Sequence, residues 1–215
     1  MGQKVGILDL TRGELGTRGT PELRIEEANE AARIMGVAAR ENLGMADGFF
    51  QNDKEHQLKL VEYIRKYRPQ VVIANAMEDR HPDHGRAGKL ISDSCFLAGL
   101  SKIETMHNGE AQAAWRPKRV YHMIQDCFLE PDFIVDISTT FDVKMEAIKA
   151  YKSQFHNPGS DEPVTYIATD NFLDKIKFRA GMLGKRIGVT YGEGFTCENT
   201  PGIANLDSLL LPELA

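Results

Sequence analysis

The sequence predicts an α/β fold in which a Rossmann-like, mostly parallel sheet is flanked by helices. Two observations lead to this prediction. Short β-branched apolar runs alternate along the chain with longer segments whose apolar residues recur at helical spacing. The 215 residues are also enough to bury one ordinary core, and no repeat, low-complexity tract or linker divides them. We therefore expect a single domain over residues 1–215.

The first predicted strand and helix follow each other near the start of the chain. The run KVGILDL, residues 4–10, is β-branched and apolar, which predicts a buried strand, and it ends at the glycine-rich segment TRGELGTRGT. A helix is predicted next, because Thr20 suits the N-cap, Pro21 suits the first helical position and Gly36 ends the apolar pattern.

The same alternation continues along the chain. A helix is predicted from about Asp53 to Lys66, and QVVIANA, residues 70–76, is the clearest strand. That strand leads into DRHPDHG, residues 79–85, and then into another helix. The later predicted elements are two strands, RVYHMIQ and DFIVDIS, and helices at about 140–153 and 170–185.

Composition excludes several classes of function. The net charge of -5, the pI near 5.7 and the lack of a Lys/Arg-rich run argue against a nucleic-acid surface. No apolar stretch is long enough for a membrane span, and the N-terminus lacks the layout of a signal peptide. Three widely spaced cysteines without a CxxC pattern indicate neither a disulfide framework nor a thiolate zinc site. We therefore expect a cytoplasmic protein with small-molecule or protein partners.

Polar side chains cluster where two predicted strands end. In open α/β sheets, ligands bind outside the carboxyl ends of strands, so TRGELGTRGT and DRHPDHG are expected to line one crevice. His81, Asp83 and His84 offer the imidazole and carboxylate ligands that zinc takes, but a metal would need more ligands from another loop. Alternatively, His81 acts as an acid or base with Asp83 fixing its tautomer. A solvated loop in which Asp83 favours the helix N-terminus is the structural alternative.

Three motifs together resemble the LmbE-like, or PIG-L, zinc-dependent N-deacetylases. They are DLTRGELGTRGTPELRIEEANEAARIMG, ANAMEDRHPDHGRAG and YGEGF, in the order of the family, and the resemblance spans essentially the whole chain. The sequence is most similar to the bacillithiol biosynthesis deacetylases, which hydrolyse the acetamide of N-acetylglucosaminyl malate. The resemblance implies a small-molecule N-acetyl amino sugar as substrate and a homo-oligomer, trimer or hexamer.

The resemblance also implies that part of the family's site is not in this sequence. In the family, a His-Pro-Asp-Asp motif after the first strand supplies two zinc ligands and the general base. Met1 corresponds to the start of the family's second strand, so we expect a domain that is incomplete at its N-terminus and lacks the first βα unit. The remaining Zn²⁺ ligands are expected from that segment. We expect this chain alone to bind zinc poorly, to show negligible activity and to aggregate readily as a monomer.

The resemblance assigns catalytic roles to three residues of HPDH. His84 matches a zinc ligand of the family. His81, with Asp83 behind it, matches the histidine that polarises or protonates the reacting amide. In the complete enzyme, zinc would polarise the acetamide carbonyl and activate a water whose proton an aspartate takes, and His81 would stabilise the oxyanion or protonate the departing amine.

Substrate contacts are expected from three further residues. Arg24 matches an arginine that reaches into the sugar pocket, Glu14 lies on the glycine-rich loop beside it, and Tyr191 belongs to YGEGF. Each has a structural alternative: Arg24 pairing with Glu27, Glu14 capping a turn, and Tyr191 only packing. No role is assigned to two other polar residues near these motifs, Glu193 and His122.

Two other functions are compatible with the sequence. The first is a non-catalytic sugar- or nucleotide-binding module with TRGELGTRGT as a phosphate loop, although this segment matches neither GxGxxG nor GxxxxGK[ST]. The second is a structural subunit completed by another chain that supplies a histidine and an aspartate.

Overall fold

The computed structural model describes residues 3–155, 159 and 161–211. Strands and helices alternate up to residue 98, so the predicted α/β class is confirmed. The strands are β1 Gly6–Thr11, β2 Ala39–Met45, β3 Val71–Ala74, β4 Met106–His107, β5 Glu110–Ala111, β6 Arg119–Met123, β7 Phe133–Asp136 and β8 Gly192–Cys197. The α-helices are α1 Pro21–Met35, α2 Lys54–Tyr67, α3 Pro82–Ala98, α4 Phe141–Lys149 and α5 Phe172–Ile187.

The main strands form two sheets. β1 and β2 pair in parallel, and a second sheet has the order β3-β6-β8-β7. In the second sheet, β3 and β6 are parallel, whereas β8 runs antiparallel to both of its neighbours. Three elements were not predicted: β2, the short β4-β5 hairpin and β8. β2 reads ARENLGM, in which polar residues interrupt the apolar pattern that marks a strand.

Local signals in the sequence set the ends of α1 as predicted. The side chain of Thr20 accepts a hydrogen bond from the backbone N–H of Leu23, and Pro21 is the first helical residue. Gly36 ends the helix with a φ of 66°, a left-handed conformation that glycine adopts without steric cost. α2 begins in the same way, because the side chain of Asp53 accepts the N–H of His56.

Opposite faces of the β1-β2 sheet are covered by different helices. On one face, Arg40 donates to the α1 carbonyl of Ala28 and pairs with Asp9. On the other face, Leu8 and Leu10 pack into an apolar cluster with residues of α2 and α3. α2 and α3 also cover the second sheet through a neighbouring cluster, and Ile91 touches both.

This arrangement of the helices decides on which side of the β1-β2 sheet β3 lies. Crossovers between parallel strands are right-handed almost without exception. Because α1 and α2 lie on opposite faces, the right-handed connection from β2 through α2 brings β3 to the side of β1. Among the described residues, neither β1 nor β3 pairs with a further strand at the edge between them. On β3, Val71 and Ile73 are 49% and 55% exposed.

Within the described part of the chain, no helix is long and apolar enough to cross a membrane.

Candidate active site

The HPDH segment forms the start of α3, directly after the end of β3. His81 is the N-cap residue, and its Nδ1 accepts the backbone N–H of Asp83 at 3.3 Å. Pro82 begins the helix, where its fixed φ is favourable and its missing N–H is not needed. The rings of His81 and His84 lie side by side, with centroids 5.2 Å apart and planes tilted by 34°. Both side chains are only partly buried, so both can meet a ligand.

Asp79 holds His84 from behind. Its side chain is only 1% exposed, and one oxygen lies 2.5 Å from Nδ1 of His84. The other oxygen accepts the backbone N–H groups of Asp126 and Cys127 at 2.9 Å each. Burial of the carboxyl group raises its pKa, but the hydrogen bonds from His84 and the two amides outweigh burial and bring the pKa of Asp79 down to about 2. Asp79 is therefore a buried carboxylate.

Asp83 does not lie behind His81, and this part of the prediction is wrong. Its carboxylate accepts the backbone N–H of Gly48 at 2.8 Å and a hydrogen bond from Arg86 at 2.7 Å. Only its backbone N–H meets the ring of His81. The Asp83 side chain joins the start of α3 to the turn that follows β2, and the residue is 6% exposed there.

The glycine-rich loop meets the same turn. The side chain of Glu14 accepts the backbone N–H of Asp47 at 2.8 Å, and this hydrogen bond lowers the pKa of Glu14. In return, the carboxylate of Asp47 accepts from the hydroxyl of Thr11 and from the N–H of Leu15. The two loops that were expected to line one crevice are thus connected through residues 46–50. Glu14 thus caps this turn, which is the structural role offered as the alternative to substrate contact.

Arg24 is bonded to the glycine-rich loop. Its guanidinium donates to the carbonyl of Gly13 at 2.7 Å and to the side chain of Gln154 at 2.8 Å. Gly13 has a φ of 67°, and a Cβ there would collide with the guanidinium. Glu27 does not pair with Arg24, because its carboxylate accepts the N–H and hydroxyl of Ser153. Arg24 also borders a shallow surface hollow beside β1 and β2.

Several backbone amides of the glycine-rich loop are already bonded within the protein. The backbone N–H groups of Gly13, Leu15 and Gly16 donate to the hydroxyl of Thr11, the carboxylate of Asp47 and the carbonyl of Gly13, respectively. Phosphate loops bind through backbone N–H groups that point at the ligand. Three of the candidate donors are already used inside the protein, which weakens the nucleotide-binding alternative.

The YGEGF segment forms the start of β8, at the edge of the second sheet where β6 and β7 end. The ring of Tyr191 stacks on Phe141 at the beginning of α4, with centroids 3.9 Å apart. Glu193 pairs with Lys144 on the same helix. These contacts attach α4 to the sheet.

His122 is a buried histidine of the core. It is 2% exposed, and its two ring nitrogens face the carbonyl of Asn75 at 2.8 Å and the carboxylate of Glu198 at 3.1 Å. Both nitrogens therefore have protein partners.

The side chains described do not fit a zinc site by themselves. Over residues 3–155, 159 and 161–211, no three of His, Cys, Asp and Glu lie together as metal ligands. Zinc sites use three or four protein ligands, whereas here His84 has one carboxylate behind it and a second imidazole beside it. The metal expected from the sequence would need ligands beyond these residues.

Sequence reasoning assigned no role to Asp79 or Arg86. Asp79 has a signal in the sequence, since it lies at the end of a strand five positions before a candidate histidine. Asp83 is next to His84 in the sequence and, like Asp79, two positions from His81, so only the loop conformation decides between the two carboxylates.

Comparisons with known proteins find the family that the sequence motifs resemble. Residues 1–95 match the family model described as PIG-L: GlcNAc-PI de-N-acetylase. Diacetylchitobiose deacetylase from Thermococcus kodakarensis is 29% identical over 153 residues, which are 70% of this chain and 56% of that protein. 4-Oxalmesaconate hydratase from Pseudomonas putida is 28% identical over 149 residues, covering 67% of this chain and 56% of that protein. The chain thus spans little more than half the length of both relatives.

A solved structure extends the likeness to almost the whole chain. The conserved protein TT1542 from Thermus thermophilus is 35% identical and superposes with a TM-score of 0.83. The match covers 94% of this chain and 85% of that one. From the motifs, the fold and these matches, we conclude that the chain belongs to the PIG-L family.

Proposed function

We propose that the protein is an N-deacetylase that hydrolyses the acetamide of an N-acetylglucosaminide, with N-acetylglucosaminyl malate of bacillithiol biosynthesis as its substrate. The observation that carries the proposal is the pair His81 and His84, two partly exposed imidazoles whose ring centroids are 5.2 Å apart at the carboxyl edge of the sheet. The pair lies within the segment that matches the PIG-L family. The name of the Thermococcus relative supports an N-acetylated sugar as the substrate class.

The reaction adds water across one amide bond. The water oxygen bonds to the acetyl carbon, the C–N bond breaks, and one proton moves to the departing nitrogen, giving acetate and a glucosaminide with a free amine. His81 is the candidate for donating a hydrogen bond to the acetyl oxygen or a proton to the amine. Arg24 holds the glycine-rich loop, and Glu14 with Asp83 ties this loop to α3.

Zinc, assembly and location belong to this proposal as well. PIG-L deacetylases depend on a metal, and His84 is the candidate ligand on this chain, to be joined by ligands from outside the described residues. The working form is proposed to be a homo-oligomer, trimer or hexamer. A cytoplasmic location is supported by Cys95, Cys127 and Cys197, which are all free thiols.

The experiment that tests the proposal measures recognition and turnover separately. N-acetylglucosaminyl malate is titrated into the ¹⁵N-labelled chain, and we expect the ring signals of His81 and His84 to shift, whereas the deacetylated sugar produces smaller shifts. Acetate release is measured with added Zn²⁺ on the 215-residue chain and on the longest in-frame product of its gene. The proposal is overturned if the acetylated sugar shifts neither histidine and neither protein releases acetate.

Substitutions locate the activity at this pair. In whichever protein releases acetate, His81→Gln is expected to slow turnover by about 10²-fold or more, the usual contribution of a positioned acid or base. His56→Gln, a change in α2 where the ring pairs with Asp53, serves as the matched control. Equal loss in both variants would argue against a specific role for His81.

A second candidate function follows from the Pseudomonas relative, whose name describes a hydratase. Hydration also adds water, but to a carbon–carbon double bond, and releases no acetate. The two functions are distinguished by incubating the protein with 4-oxalmesaconate and following the loss of ultraviolet absorbance of the conjugated acid. Turnover of this acid without acetate release from sugars would favour the hydratase.

A further inference from the structure

We propose that Asp79 is a positioning residue that holds His84 in the opposite tautomer to His81, so that Nε2 of His84 carries a lone pair for a ligand while Nε2 of His81 carries a proton. The tautomers of the two histidines do not depend on which substrate the protein takes.

The tautomer of His84 follows from its partner. An ionised carboxylate has no proton to donate, so the hydrogen bond of 2.5 Å between Asp79 and Nδ1 of His84 places the proton on Nδ1. In the neutral ring, Nε2 then carries a free lone pair. The two backbone N–H groups that donate to the other oxygen of Asp79 favour its ionised form.

The tautomer of His81 follows from the backbone. The N–H of Asp83 can only donate, and it points at Nδ1 of His81 from 3.3 Å. Nδ1 must therefore hold the lone pair, and in the neutral ring the proton sits on Nε2. The N-cap position of His81 at the start of α3 fixes this geometry.

Asp79 can do this because the surrounding backbone holds it in place. The N–H groups of Asp126 and Cys127, which follow β6, donate to its second oxygen. The carboxylate is thus held, almost fully buried, between the end of β3 and the loop after β6. The paired rings can then offer Nε2 of His84 as an acceptor and Nε2–H of His81 as a donor.

The test reads the tautomers directly. Long-range ¹H–¹⁵N correlation spectra of the ¹⁵N-histidine-labelled chain are recorded at neutral pH, with signals assigned from His81→Gln and His84→Gln. We expect a protonated Nδ1 in His84 and a protonated Nε2 in His81. In Asp79→Asn, the amide oxygen still accepts from the two backbone N–H groups while its NH₂ group faces Nδ1 of His84. His84 is therefore expected to switch to the Nε2–H tautomer, while His81 remains unchanged.

Asp126→Asn is the matched control. The Asp126 carboxylate pairs with Arg80 and Tyr166, and not with His84, so both tautomers are expected to persist. Amide spectra and melting curves of each variant check that the fold is kept. If Asp79→Asn unfolds the chain, the wild-type spectrum still decides the inference.

Two results would overturn the inference: His84 protonated on Nε2 in the wild type, or a folded Asp79→Asn variant with an unchanged His84. Neither readout requires turnover. A chain with the expected tautomers but no acetate release would count against the proposed function alone.

Discussion

At the scale of single residues, buried polar side chains connect segments that are far apart in the sequence. Glu27 of α1 is 6% exposed, and its carboxylate accepts both the N–H and the hydroxyl of Ser153. Arg18, 4% exposed, donates to the carbonyl of the same serine. These bonds join α1 and the glycine-rich loop to the segment after α4.

Glu27→Gln is expected to destabilise the protein. The amide replaces a charged acceptor with a neutral one and puts an NH₂ group where the Ser153 hydroxyl donates, which costs about 1–3 kcal/mol of unfolding free energy. Urea denaturation measures the loss. Glu26→Gln, the same change at the exposed neighbouring position, is the control and should cost under about 0.5 kcal/mol. Equal losses in the two variants would contradict the assigned role of Glu27.

The three cysteines are expected to react differently. Burial raises the pKa of the Cys95 thiol to about 12, and Cys95 is 3% exposed. Because the thiolate is the nucleophile, iodoacetamide at a mildly alkaline pH should modify Cys127 and Cys197, which are partly exposed, well before Cys95. Peptide mass spectrometry over time gives the order. Early labelling of Cys95 in the folded protein would contradict the prediction.

The same group should make stability depend on alkaline pH. The pKa of Cys95 is higher in the folded chain than the ordinary value of 9.0. The folded state therefore keeps its proton longer, and the free energy of unfolding falls as the pH rises from about 9 toward 12. Below that range the thiol is protonated in both the folded and the unfolded state, so it does not make the free energy of unfolding depend on pH.

At the scale of elements, β3 is unusual because two of its apolar side chains are exposed to solvent. Its neighbour is β6 on one side, and Val71 and Ile73 present apolar side chains to solvent. Val72, between them, points into the cluster formed by α2 and α3. An apolar strand with an open edge is a known aggregation hazard.

Replacing Val71 and Ile73 together by threonine should reduce aggregation. Both positions keep a β-branched residue, so the free energy of unfolding should change by under about 1 kcal/mol while light scattering at a given concentration falls. Val72→Thr is the control. It buries a hydroxyl in the apolar cluster and should lower the free energy of unfolding by about 1–3 kcal/mol. Unchanged scattering in the double variant would show that β3 does not drive association.

Predictability also differed between elements. α1 was predicted with its cap, its first proline and its terminal glycine, because capping acts through residues three or four positions apart. β2 was not predicted, since Arg40 and Glu41 interrupt its apolar pattern. Those two side chains are paired with Asp9 and Lys66 on opposite faces of the sheet, and such partners cannot be read from β2 itself.

At the scale of the whole molecule, the described chain brings together too few ligands for zinc. We expect the purified 215-residue protein to retain well under one zinc per chain after dialysis, because one imidazole cannot compete with water and buffer for the ion. Elemental analysis and a competing zinc dye measure the retained metal.

His84→Ala is the control for this zinc measurement. If the wild type retained about one zinc per chain and this variant lost it, the chain would supply enough zinc ligands, His84 among them, and the prediction would be wrong.

The sequence by itself determined the α/β class, the caps of α1 and the two neighbouring histidines after β3, because these depend on periodicity and on residues a few positions apart. The likeness to the PIG-L family rests on three motifs and on the comparisons. Only the tertiary structure decided the partners: Asp79 rather than Asp83 behind a histidine, Asp83 on the turn after β2, and Arg24 on the glycine-rich loop. Such partners depend on loop conformation and on contacts between segments as far as 130 residues apart, where short-range patterns carry no signal.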